Sequence, residues 1–115
     1  MLHQMKLQEG PFERIRKGIK ILELRLYDEK RMMISLGDEI EFLKLPELAE
    51  KINVRVTGLL IYKTFADIFN DLPASYVGYQ ESDKEYLKTS MYEYYTKEDE
   101  EKYGALGIRI ELIKW

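Results

Sequence analysis

The stretch Lys17-Gly18-Ile19-Lys20-Ile21-Leu22-Glu23-Leu24-Arg25 decides the reading of this chain. A glycine ends one pattern and a strict alternation begins. Period-two spacing from Ile19 to Tyr27 predicts a strand, with Lys20, Leu22, Leu24 and Leu26 on one face. Ile19, Ile21, Glu23, Arg25 and Tyr27 fall on the other. Charges at alternating positions of an apolar strand have two readings. Either the face is solvated or holds a structural ion pair, or it borders a site. If it points inward, Glu23 and Arg25 need partners, because an unpaired buried charge is costly. Alternation places Lys20 opposite both of them. The three share a pocket only if Lys20 stands at the mouth of the strand, or if a bulge shifts the register.

Upstream, Gly10-Pro11 opens a helix whose apolar face is Phe12 and Ile15, since proline is tolerated in a first turn. Gly18 ends it as a left-handed cap. Downstream, Asp28 to Ile34 predicts a turn or one helical turn, and Gly37-Asp38 a second turn. Glu39 to Leu43 and Val54 to Tyr62 predict strands, the latter with Val54, Val56 and Leu60 on one face and Leu59 and Ile61 on the other. Phe65, Ile68, Phe69 and Leu72 recur at helical spacing behind Thr64, a capping residue, and Pro73 stops the helix. Ser82 to Lys102 is polar and helical, with Ser82 or Thr96 as cap. Ala105 to Trp115 closes the chain as a strand. Strands separated by short helices, with both ends extended, predict an α+β domain. Its expected form is a small β-barrel decorated by helices, one domain over residues 1–115.

With 115 residues, 45% of them hydrophobic and 34% charged, the chain suits one folded domain rather than a disordered segment. It contains no cysteine and one histidine, His3, which removes thiolate chemistry and two-histidine zinc motifs. No metal or other cofactor is expected. The longest apolar run, Gly58 to Tyr62, is too short for a membrane span, and no signal segment opens the chain. A cytoplasmic, unanchored protein is expected. The net charge of −3 argues against a broad basic coat for nucleic acid. The charge is segregated, however. Arg14, Arg16, Lys17, Lys20, Arg25, Lys30 and Arg31 outnumber the acids among them, whereas Glu81 to Glu101 carries eight acidic residues against three lysines.

The segment Gly18-Ile19-Lys20-Ile21-Leu22-Glu23-Leu24-Arg25 resembles the G-x-K-x-x-E-x-R signature of the ASCH domain family. Pro11-Phe12 precedes it by one helix. Gly37-Asp38-Glu39-Ile40-Glu41-Phe42 is similar to the family's G-D-x-I-x-F strand. Met91-Tyr92-Glu93-Tyr94-Tyr95 and Tyr103-Gly104-Ala105-Leu106-Gly107-Ile108 are similar to its closing motifs. The resemblance implies a PUA-like β-barrel with peripheral helices and a cleft that binds RNA or a nucleoside. Some small members of the family hydrolyse N4-acetylcytidine, with the signature lysine catalytic and a threonine three positions later. Lys20 matches that lysine, but Glu23 stands where the threonine would be. Lys20 and Glu23 are the catalytic pair under this alternative. A carboxylate beside a lysine favours the ammonium. The pair therefore points to a ligand-holding cation more than to a nucleophile.

Tyrosines crowd the region from Tyr76 to Tyr103. Their rings suit base stacking, or they cover the end of the barrel with hydroxyls outward. The family motifs single out Tyr92, Tyr94 and Tyr95. The expected ligand site is therefore Lys20, Glu23, Arg25, Tyr92, Tyr94 and Tyr95, with RNA or a modified nucleoside as partner.

Overall fold

A computed structural model of the chain describes residues 1–113. Five strands among these residues form one sheet: β1 (Leu2–Leu7), β2 (Leu22–Leu26), β3 (Glu39–Lys44), β4 (Lys51–Tyr62) and β5 (Ala105–Leu112). Their spatial order is β1-β3-β4-β5-β2. The β1–β3 pair is parallel and the other three pairs are antiparallel. The sheet curls into a half-barrel, the form that the α+β expectation takes here. Its edge strands, β1 and β2, border an open seam. Lys114 and Trp115, the end of the predicted last strand, lie outside the described residues.

Among the described residues four α-helices decorate the sheet: α1 (Glu9–Arg16), α2 (Phe65–Asp71), α3 (Lys84–Ser90) and α4 (Lys97–Tyr103). Eight residues make a marginal helix on their own. α1 is held by docking: Phe12 and Ile15 are both buried in the half-barrel, worth roughly 3–6 kcal/mol together as an upper figure. Gly18, at φ 78°, turns the chain out of the helix in the left-handed region that a side chain disfavours. Thr64 caps α2, its side chain accepting from the Asp67 N–H, and Thr96 caps α4 in the same way through Asp99. Ser82 caps nothing; Gln80 and Asp83 form the capping box there.

Two apolar clusters hold the sheet from its two faces. Inside the half-barrel lie Met5, Phe12, Ile15, Phe42, Val54, Val56, Leu106 and Ile108. Behind β2 lie Leu22, Leu24 and Leu26, packed against Phe65, Ile68 and Phe69 of α2 and Leu87 of α3. One predicted face is corrected by the second half of β4. The register slips between Val56 and Gly58, so Thr57 bulges. Leu59, not Leu60, then joins Val54 and Val56, while Leu60 turns to the outer cluster.

The predicted strand from Ile19 is also shortened. β2 starts at Leu22, because the three preceding N–H groups go elsewhere. Those of Ile19 and Lys20 both donate to the Arg14 carbonyl, at 2.9 and 3.1 Å, and that of Ile21 to the Tyr76 carbonyl at 2.8 Å. Residues 19–21 are thus an irregular mouth clamped between α1 and the short turn Ala74–Val77.

Candidate functional site

At this mouth the backbone leaves strand geometry, and strict alternation no longer governs Lys20. Its Nζ stands 2.8 Å from Oε1 of Glu23. Arg25, two residues further along β2, directs both Nε (2.9 Å) and Nη2 (2.8 Å) at the other oxygen, Oε2. One carboxylate thus bridges two cations. Glu23 and Arg25 face the interior, opposite Ile108 and Leu106 of β5, and Glu23 is buried.

Burial pushes the Glu23 carboxyl up. The charges of Lys20 and Arg25, with their hydrogen bonds, outweigh that and hold it at about 2. Burial pushes the Arg25 guanidinium down, and Glu23 with the neighbouring Tyr95 raises it further than burial lowers it. The carboxylate is therefore ionised at any neutral pH. The Lys20 ammonium has three N–H donors, of which Glu23 takes one. No other partner for it occurs among the described residues.

Arg25 has a second task. Its Nη2 also donates to the Lys6 carbonyl of β1 at 3.0 Å, across the seam from β2. The triad therefore sits where the half-barrel's two edges approach each other. A cleft of about 310 Å³ opens at this seam. Its walls come from the end of β1, α1, the mouth of β2, α3 and the turn Met91–Glu93.

The structure brings Lys20, Glu23, Arg25, Tyr94 and Tyr95 together in this cleft. Tyr94 is 64% exposed, its ring available to a ligand. Tyr95 is stacked on Phe65 of α2, with ring centroids 5.6 Å apart, and supplies a fixed wall. Tyr92, the sixth expected residue, is placed elsewhere. Its hydroxyl donates to Oε1 of buried Glu100 at 2.7 Å, and Oε2 of Glu100 accepts the Phe65 N–H at the start of α2. Tyr92 thus belongs to a buried polar junction between α4, α2 and the Met91–Glu93 turn.

Among the cleft residues outside the expected six are Arg14, Tyr79 and Tyr86. Arg14 is in the basic run and the two tyrosines in the aromatic run. What the sequence conceals is that the Ala74–Val77 turn carries Tyr79 back over α1. Among the described residues no cluster of three or more His, Cys, Asp or Glu could hold a metal. No helix there is long and apolar enough to cross a membrane.

The curled five-stranded half-barrel decorated by helices makes this a small α+β domain. The ASCH domain family model matches residues 5–114, and the chain belongs to that family. Among solved structures it is similar to the crystal structure of hypothetical protein PH0355, at TM-score 0.83 and 36% identity, covering 98% of this chain and 100% of that one. It is also similar to the solution NMR structure of protein PF0455 from Pyrococcus furiosus. There the TM-score is 0.72 and the identity 30%, with both chains fully covered. No curated protein matches the sequence.

Proposed function

We propose that the cleft binds RNA or a nucleoside unit, with Lys20, Glu23 and Arg25 as the polar floor and Tyr94 and Tyr95 as aromatic walls. ASCH domains are associated with RNA. The observation that carries the reading is the convergence of these five side chains on one cleft of about 310 Å³. That volume lies at the small end of ligand pockets, roughly 300–1,000 Å³, and suits a single unpaired nucleoside rather than a duplex. Free N–H groups of Lys20 can donate to base carbonyls or ring nitrogens, and the exposed Tyr94 ring offers a stacking face. The ionised Glu23 carboxylate fixes both cations in place before a ligand arrives.

The test is a binding titration at fixed salt with single-stranded RNA, structured RNA and nucleosides. Lys20→Ala and Arg25→Ala should each weaken binding. Absence of binding by the intact protein to all three probes would refute the proposal. The alternative, hydrolysis of N4-acetylcytidine, finds less support in the geometry. Lys20 is engaged by a carboxylate at 2.8 Å, which suits a donor more than a nucleophile. Incubation with N4-acetylcytidine and chromatography for cytidine separates the two readings, and turnover lost in Lys20→Ala would favour the enzyme.

A further inference from the structure

We infer that Arg14 is a phosphate seat at the rim of the cleft, so that the ligand is a nucleotide, free or within RNA, rather than a neutral nucleoside. This rests on the cleft being the binding site proposed above, and it adds a residue outside the family signature.

The first ground is charge. Arg16, Arg25, Arg31 and Arg55 each pair with a carboxylate. Arg109 pairs with none among the described residues and lies over the Tyr76 ring, outside the cleft lining. Arg14, which does line the cleft, likewise has no carboxylate partner among the described residues. Its guanidinium instead lies over the Tyr79 ring, 4.6 Å from the centroid, and Nη2 donates to the Tyr79 hydroxyl at 3.1 Å. A tyrosine ring and hydroxyl orient a guanidinium without neutralising it.

The second ground is the balance of the cleft. The Lys20–Glu23–Arg25 triad keeps one net positive charge. Arg14 and Lys6 add to it, and exposed Glu93 offsets one of them. The cleft is thus positive in a chain whose net charge is −3. A neutral nucleoside would leave that charge unused; a phosphate would meet it.

The third ground is rigidity. A Cβ at Gly78 would come within 2.8 Å of Cδ of Arg14, so the arginine stem lies directly on the glycine backbone. The Arg14 carbonyl accepts the Lys20 N–H. The same residue therefore sets both the rim charge and the mouth that carries Lys20. Such a pre-set guanidinium loses little freedom when it binds an anion.

The experiment measures calorimetric affinities at fixed low salt for uridine, cytidine, adenosine and guanosine, for their 5′- and 3′-monophosphates, and for a single-stranded pentauridylate. Intact protein, Arg14→Gln and Arg14→Lys are compared, with thermal melting to confirm that each variant is folded. In the intact protein a monophosphate should bind about tenfold or more tighter than its nucleoside, the scale of one charge-assisted contact. Arg14→Gln should reduce that preference to within about twofold, the monophosphate losing more affinity than the nucleoside does. Arg14→Lys should retain part of it. A mononucleotide that equals the pentauridylate marks a free nucleotide as ligand. A much tighter pentauridylate, still dependent on Arg14, marks RNA. Nucleoside binding with no phosphate preference, or a preference that survives Arg14→Gln, overturns this inference while leaving the binding reading intact. No binding by any probe overturns both.

Discussion

Nη2 of Arg25 lies 3.0 Å from the carbonyl oxygen of Lys6, and this contact ties the two edge strands of the half-barrel across its seam. The same guanidinium holds Oε2 of Glu23. One side chain thus links a structural task, keeping the seam together, to the polar floor of the cleft. Arg25→Ala removes both and leaves buried Glu23 with Lys20 alone. Breaking a buried pair by removing one partner costs about 3 kcal/mol or more. Urea unfolding should show a loss of that size. Arg25→Lys should recover part of it, because a lysine keeps the charge but cannot serve both oxygens. A loss below about 0.5 kcal/mol, typical of a surface substitution, would show that the seam contact is idle.

Acid should weaken the protein through Glu23. Its ordinary value is 4.5 and its folded value about 2, the combined pull of Lys20 and Arg25 exceeding the push of burial. A lowered folded pKa means that the unfolded chain binds the proton first. The stabilisation is complete above about pH 4.5 and is lost as pH falls toward 2. It amounts to about 3 kcal/mol over that window. Asp38 is held low by the His3 hydrogen bond, the Ser35 N–H and the chain's amino terminus, and acts with the same sign. Glu13 is held low as well, by Arg16 and Lys44, so unfolding free energies from pH 6 to pH 2.5 in an Asp38→Asn, Glu13→Gln background isolate Glu23. Glu23→Gln should then flatten the remaining slope, and an unchanged slope would contradict the assignment.

Tyr92 and Tyr94 should separate stability from binding. The Tyr92 hydroxyl is bonded to buried Glu100, so Tyr92→Phe should lower stability by about 1 kcal/mol and leave ligand affinity unchanged. Tyr94 is exposed at the cleft and has no comparable bond among the described residues. Tyr94→Ala should weaken binding by about 1 kcal/mol or more, the worth of one stacked base, at little cost in thermal stability. The reverse pattern would move the aromatic wall from Tyr94 to Tyr92.

These two tyrosines also mark how far the sequence alone reaches. Strands β2 to β5, the Thr64 and Thr96 caps and the basic signature follow from alternation, helical spacing and turn residues, all local properties, whereas β1 reads only as an extended chain end. Lys20 did not follow, because its face depends on where β2 begins. That point is set by the carbonyls of Arg14 and Tyr76, and Tyr76 is remote in sequence. Leu59 and Leu60 exchange faces for a similar reason: Gly58 inside the strand is a local hint of a bulge, but the register against β5 that it produces is set only by the pairing. Tyr92 and Tyr94 are two residues apart in one motif. Only the fold shows that Glu100 captures the first and leaves the second at the cleft. Arg14 was visible as one charge in a run. Its lack of a carboxylate partner among the described residues is a tertiary fact.

Gly78 should position Arg14 without touching a ligand. Its φ of 83° lies in the left-handed region, and a Cβ there would meet Cδ of Arg14 at 2.8 Å and Cγ2 of Ile19 at 3.2 Å. Gly78→Ala therefore adds backbone strain of about 1–2 kcal/mol and forces the arginine stem aside. The stability loss alone would be expected of any such glycine. The discriminating readout is the ratio of monophosphate to nucleoside affinity, measured on the folded variant well below its melting temperature. If Arg14 must lie on this glycine to present its guanidinium, that ratio should fall severalfold in Gly78→Ala while nucleoside affinity changes by less than about twofold. Gly37→Ala supplies the control. Gly37 also has a positive φ, 87°, but a Cβ there meets nothing within 4 Å and it does not line the cleft. It should lose similar stability with no change in the ratio. Equal ratios in both variants would show that the Arg14 guanidinium finds its place independently of the backbone beneath it.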